Sequence, residues 1–167
     1  MNKYIEKEIA IENSNLKEVW LSNRYTMIPA LFRGDHSICS LIIPNPVKRI
    51  CNGAFGWCEE LSSVSLPDSL CSIGSGAFSR CRKLKSITIP RNVTEIGYSV
   101  FSGCWELTSV TILGSVLPNF STCWRLSTII IGENLKEFDV SYFSNCKNIK
   151  TIVVDKNNQL YDSHHKK

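Results

Sequence analysis

Apolar residues recur along this chain in a fixed rhythm, with polar spacers between them. Phe32, Phe55, Phe78, Phe101, Phe120 and Phe143 follow one another at intervals of 23, 23, 23, 19 and 23 residues. Three residues after each Phe comes Asp35, Cys58, Cys81, Cys104, Cys123 or Cys146. Three further on are Ile38, Leu61, Leu84, Leu107, Leu126 and Ile149. Then come Leu41, Val64, Ile87, Val110, Ile129 and Ile152, and two residues later Ile43, Leu66, Ile89, Ile112, Ile131 and Val154. Met27, Ile50, Ile73, Ile96 and Phe138 stand five residues before a Phe. A period of this length marks a repeat architecture. One unit cannot bury its own apolar face, so stacked units must bury it together.

Each unit reads as one turn of a coil. Leu84 to Ile89 ends in period-two alternation, which predicts a short strand with Ile87 and Ile89 inward and Ser86 and Thr88 outward. Pro44, Pro67 and Pro90 follow the strand and stop it, since proline cannot donate to a ladder. Ala77 to Cys81 reads as a helical turn or a short 3₁₀ piece. Gly53, Gly74, Gly76 and Gly97 precede the Phe column and permit tight turns. The expected fold is a leucine-rich-repeat solenoid. It has about six stacked coils of roughly 23 residues, a parallel β-sheet on one face, and short turns or 3₁₀ pieces elsewhere. Residues 1–22 are expected to form an N-terminal cap, 23–154 the solenoid, and 155–167 a polar tail or cap. The short interval should give a tighter coil and a local bend between Ile112 and Pro118.

Composition narrows the function classes. Of 167 residues, 43% are hydrophobic and 20% charged, which suits one folded domain rather than a disordered chain. The net charge of +4 does not by itself imply a nucleic-acid partner. There is no apolar run of 18 residues to span a membrane. Residues 1–15 lack the apolar core of a secretory signal. The expectation is a cytoplasmic protein, or part of an exported one.

The run from Ile73 to Pro90, with its Ala77-Phe78, Cys81, Leu84, Ile87 and Ile89, resembles the BspA-like leucine-rich repeat, a type found in bacterial surface proteins. The resemblance covers roughly Leu21 to Val154, and Asn157 to Ser163 is similar to the segment that often follows such arrays. It implies a solenoid, cell adhesion, protein–protein interaction and a cell-surface or secreted location, with no shared active site and no cofactor.

Five of eight cysteines share one column, where Cys is expected to serve as a small buried hydrophobe. Stacking brings their Cα atoms within disulfide range, but their Cβ vectors run side by side. No Cys-x-x-Cys pair exists, and His36, His164 and His165 lack ligand spacing, so no metal site is expected. Cys39, Cys51 and Cys71 lie off the column and are packed or exposed thiols.

Candidate binding residues lie on the outward strand positions. Ser63, Ser65, Ser86, Thr88, Ser109, Thr111, Thr128 and Thr151 would form a grid of short hydroxyls. Such a grid suits recognition, and equally suits β-propensity and solubility. Trp20 and Ile42 at one end, and Ile130 and Val153 at the other, are outward and apolar, which implies a contacted patch. Trp105 and Trp124 follow the column Cys in successive coils and should lie side by side, as an anchor or as a shield for the turns. Arg80, Arg82, Lys83, Lys85 and Arg91 form a basic cluster, read as an acidic-partner site or a solvated edge.

No catalytic motif emerges. A Cys39–His36–Asp35 nucleophilic site is conceivable, yet Cys39 falls in a strand and nothing positions His36 toward it. The expected function is a non-catalytic, adhesin-like recognition module. It would bind a protein or other macromolecule through the sheet face or the Trp-bearing edge. The alternative is a structural, self-associating repeat protein that forms a homo-oligomer, and a thiol enzyme comes third.

Overall fold

The computed structural model describes residues 25–159 and the backbone of 18–20. Most of the expected cap over 1–22 lies outside these residues, as do residues 160–167 of the tail. In chain order the strands are β1 (Glu18–Trp20), β2 (Met27–Ile28), β3 (Ser40–Ile42), β4 (Arg49–Ile50), β5 (Ser63–Ser65), β6 (Ser72–Ile73), β7 (Ser86–Ile89), β8 (Glu95–Ile96), β9 (Ser109–Ile112), β10 (Thr128–Ile131) and β11 (Thr151–Val154). One 3₁₀ turn spans Val140–Phe143.

Every strand pair is parallel, as a solenoid requires. The principal face comprises β1-β3-β5 and β7-β9-β10-β11, its ladder interrupted between β5 and β7. The register is the one read from the repeat. Ile87, Val110, Ile129 and Ile152 align inward, while Ser86, Ser109, Thr128 and Thr151 align beside them. A second, narrower sheet, β2-β4-β6-β8, runs where only turns and 3₁₀ pieces were expected. Each of its strands has two residues, too short for alternation to reveal.

The core is a continuous stack. Successive Phe rings from Phe32 to Phe143 lie 5.3–5.8 Å apart and nearly parallel. From Phe32 to Phe120 they are essentially inaccessible to water. This offset stacking combines apolar burial with a favourable ring geometry. A further apolar column closes the corner after the strands. The amides of Val47, Leu70 and Val93 bond back to the carbonyls of Pro44, Pro67 and Pro90 at 3.1 Å, and all three side chains are buried.

Two inward assignments are corrected. Met27 is exposed, and Ile28 takes its place, fully buried and paired with Ile50, because the first coil is one residue shorter before its Phe. Ile152 is inward in register yet 50% exposed, since β11 ends its sheet and no described strand stacks beyond it. The turn at Ala77–Cys81 is a chain of three-residue hydrogen bonds. It never becomes a 3₁₀ helix, because Gly76 (φ 63°) and Arg80 (φ 58°) are left-handed and break it. Gly97 answers a different need. A Cβ there would meet the Ser75 backbone nitrogen at 2.3 Å, so only glycine lets the coils approach this closely.

The short coil does not disturb the ring stack: Phe101 and Phe120 remain 5.5 Å apart. Residues 94–100 of the preceding coil are replaced by Leu117-Pro118-Asn119 alone. The lost residues are those that would build the next strand of the second sheet, which therefore ends at β8.

Candidate functional site

The cysteine column is hydrogen-bonded as well as buried. The thiols of Cys58, Cys81, Cys104, Cys123 and Cys146 donate to the carbonyls of Phe32, Phe55, Phe78, Phe101 and Phe120, one coil back, at 3.0–3.4 Å. All eight cysteines are free thiols. Burial pushes the thiol of Cys81 up, and those of Cys104 and Cys146 likewise, with Cys123 pushed up to about 12. A protonated, enclosed thiol is a poor nucleophile. This column holds coils together. The first coil has Asp35 instead, whose carboxylate accepts from the Ser37 amide and hydroxyl.

Of the off-column cysteines, Cys71 is exposed and Cys39 and Cys51 are half-buried. The Cys39 sulfur lies 3.9 Å from the Ser37 carbonyl, its one described polar contact, and His36 is exposed. Among the described residues, no group of three or more His, Cys, Asp or Glu side chains could hold a metal ion.

The sheet face displays the residues that alternation placed there. Ser63, Ser65, Ser86, Thr88 and Thr151 are exposed, and Ser109, Thr111 and Thr128 are half-exposed. Their columns continue into Ile130 (36% exposed) and Val153 (49%), adjacent in register. The two form an exposed apolar pair at the end of the face. At the opposite end Ile42 is exposed beside the backbone of Trp20. The hydroxyls of Ser62, Thr108 and Ser127, just before the strands, donate to the carbonyls of Cys39, Lys85 and Thr108 one coil back, tying this edge of the face.

One lateral edge carries a ladder of charged and aromatic groups. The Trp105 and Trp124 rings stack at 5.8 Å with an interplanar angle of 10°. Arg82 lies 4.6 Å from the Trp105 ring centre and forms an ion pair with Glu59 at 3.2 Å, so Glu59, Arg82, Trp105 and Trp124 run in line over four coils. Arg80 lies over Trp57 at 4.2 Å, and Lys83 pairs with Glu60 at 2.6 Å. Three of the five basic-cluster residues are thus engaged within the protein. Trp124, 54% exposed, ends the aromatic run with its outer side accessible.

Sequence reasoning missed the cleft beside the short coil. It is an open depression of about 750 Å³ lined by Thr94, Glu95 and Ile96, by Ser115, Val116 and Leu117, and by Lys136, Glu137, Asp139 and Tyr142. The 19-residue interval was its only signal in the sequence.

No helix among the described residues is long and apolar enough to cross a membrane. Among curated protein sequences none matches the chain. Three solved structures share the architecture. TpLRR, a leucine-rich repeat protein of T. pallidum, is 24% identical with a TM-score of 0.67, over 81% of this chain and 68% of its own. A leucine-rich repeat protein of Bacteroides ovatus is 28% identical with a TM-score of 0.60, over 78% of this chain and 35% of its own. The pneumococcal vaccine antigen PcpA is 21% identical with a TM-score of 0.64, over 86% of this chain and 42% of its own. The chain thus spans well under half the length of the last two. Residues 26–150 match the BspA type leucine rich repeat region in six copies, in the same columns that stack in the core, and the chain belongs to that family.

Proposed function

We propose that this protein is a non-catalytic recognition module of adhesin-like character, binding a protein or other macromolecule through its principal sheet face and the adjoining Trp edge. The observation that carries this reading is the face itself. Short hydroxyl side chains in register end in exposed Ile130 and Val153, all mounted on a fully packed ring stack. Such a surface is ordered before a partner arrives, so little side-chain entropy is lost on binding. The exposed Trp124 supplies an aromatic anchor of the kind that dominates interface energetics. The family and the bacterial repeat proteins that share the fold support a role in interaction.

The test is affinity capture with the folded chain, compared with an Ile130→Ser/Val153→Ser variant and a Trp124→Ala variant. Binding should fall at least tenfold for one of them at unchanged melting temperature. A partner retained equally by all three would refute the reading. The exposed pair of Ile130 and Val153 also favours a second reading, self-association. In that case the solution mass would exceed one chain and drop to it in the Ile130→Ser/Val153→Ser variant.

A further inference from the structure

The second sheet lacks one rung, and the gap has a definite shape and chemistry. In earlier coils each rung is closed by the same bonds. The carbonyls of Ile28, Ile50 and Ile73 receive the amides of Cys51, Gly74 and Gly97 at 2.8 Å. The carbonyls of Thr26, Lys48 and Cys71 each receive two amides from the next coil. The corresponding carbonyls, of Thr94 just before β8 and of Ile96 within it, receive no such amide from the described residues, because the short coil passes this corner as Val116-Leu117-Pro118. The seam is open further along as well. The amides of Phe55, Phe78 and Phe120 bond to the next coil, whereas that of Phe101 has no such bond among the described residues. Gly103 turns its amide to the Thr122 hydroxyl, where Trp57 and Arg80 find backbone carbonyls.

Repeat counting says what stands on each side of the gap. One column runs Arg49, Ser72, Glu95, then the missing rung, then Glu137. The next runs Ile50, Ile73, Ile96, the missing rung, then Phe138. Rungs on either side of a missing one stand about 10 Å apart, two strand spacings, which admits one extended chain. A residue filling the first column sits between two carboxylates, with Asp139 also on the rim and Lys136 the sole base among the described residues lining the cleft. A residue filling the second lies over half-buried Ile96, Val116 and Leu117.

We propose that this gap is a strand-docking site for an extended segment of another protein in which basic and aliphatic residues alternate. The segment adds to the free edge of β8 and completes the missing rung. Its amides bond to the carbonyls of Thr94 and Ile96, its Lys or Arg sits between Glu95 and Glu137, and its aliphatic neighbour covers Ile96 and Leu117. Backbone pairing supplies affinity, and the two columns supply selectivity. The site is separate from the principal sheet face and stands or falls independently of the role proposed for that face.

The probe is a fluorescein-labelled peptide, acetyl-Lys-Val-Lys-Val-Lys-Val-amide, titrated by anisotropy against the whole chain. A peptide with Glu for Lys is the control. Saturable binding at least tenfold tighter for the lysine peptide is expected. Equal binding of both peptides, or no saturable binding, would overturn the proposal. The surface variant Glu95→Lys/Glu137→Lys should weaken the lysine peptide at least tenfold at unchanged melting temperature. A variant with Thr-Glu-Ile-Gly inserted between Val116 and Leu117 restores the 23-residue interval and should abolish binding while circular dichroism stays native. Retained affinity in either folded variant would also overturn it. Trp124→Ala and Ile130→Ser should leave peptide binding unchanged, and loss there would move the site to the principal face.

Discussion

The coils from Phe32 to Phe101 and the short coil between Phe101 and Phe120 share a core and differ at one corner. In both, Phe stacks on Phe, the Cys thiol reaches the preceding Phe carbonyl, and the inward aliphatic residues are buried, Val64 and Leu66 only partly. The regular coils also close a second sheet at every rung, and the short one does not. A solenoid can therefore lose residues on one side while the stack on the other continues, because each coil needs only its nearest neighbours. The lost strand costs local hydrogen bonds and leaves a cleft. The lesson is that core and periphery are separable, and substitutions can separate them.

The largest contrast should come from the core. Phe78→Ala removes a ring stacked on both sides and should cost about 3–5 kcal/mol. Val116→Ala, at the half-buried corner of the short coil, should cost about 1 kcal/mol. Urea denaturation measures both, and equal losses would mean the short coil is packed as tightly as the others. Next comes coil approach. Gly97→Ala forces a Cβ onto the Ser75 backbone and should cost about 1–3 kcal/mol by the same measurement. An unaffected midpoint would show that the regular coils are not held this close.

The thiol column gives a smaller effect with a definite sign. Below the ordinary thiol value near 9, both folded and unfolded chains keep the protons. Above it the unfolded chain ionises, while burial keeps Cys81, Cys104 and Cys123 protonated in the folded chain. The unfolded state then binds fewer protons, so stability falls as pH rises from about 9 toward 12. Urea midpoints at pH 8, 9, 10 and 11, roughly spanning that window, should decline more steeply in the native chain than in Cys104→Ala. Parallel curves would remove the thiols from the account. The smallest effect belongs to the sheet face, where Ser86→Ala and Thr88→Ala should shift stability by no more than about 0.5 kcal/mol, as for exposed positions generally. A larger shift would mean these hydroxyls support the fold rather than only decorate it.

Much of this was legible in the residues. The Phe, Cys and aliphatic columns located the coils, the alternation at Ser86–Ile89 located the principal sheet, and the outward hydroxyls and paired Trp residues came out where counting placed them. The column of Val47, Leu70 and Val93 was equally available, four residues after Ile43, Leu66 and Ile89, but needed a seventh column to be counted. Met27 misled because one missing residue in the first coil shifts the register without changing the Phe spacing. The basic cluster read as free charge because Glu59, Glu60 and Trp57 lie 23 residues away along the chain and one rung away in space.

By itself, the order of amino acids determined that identical small units stack, which side chains they bury, and that one unit is four residues short. Periodicity carries that information because burial acts on every repeat alike. Only the tertiary structure decided the rest: the thiol-to-carbonyl ladder, the second sheet, the capture of Arg80 and Arg82 by indole rings, and the place where the four missing residues leave an unfilled strand position. Each of these is a relation between neighbouring coils, and its geometry exists only once one coil lies on the next.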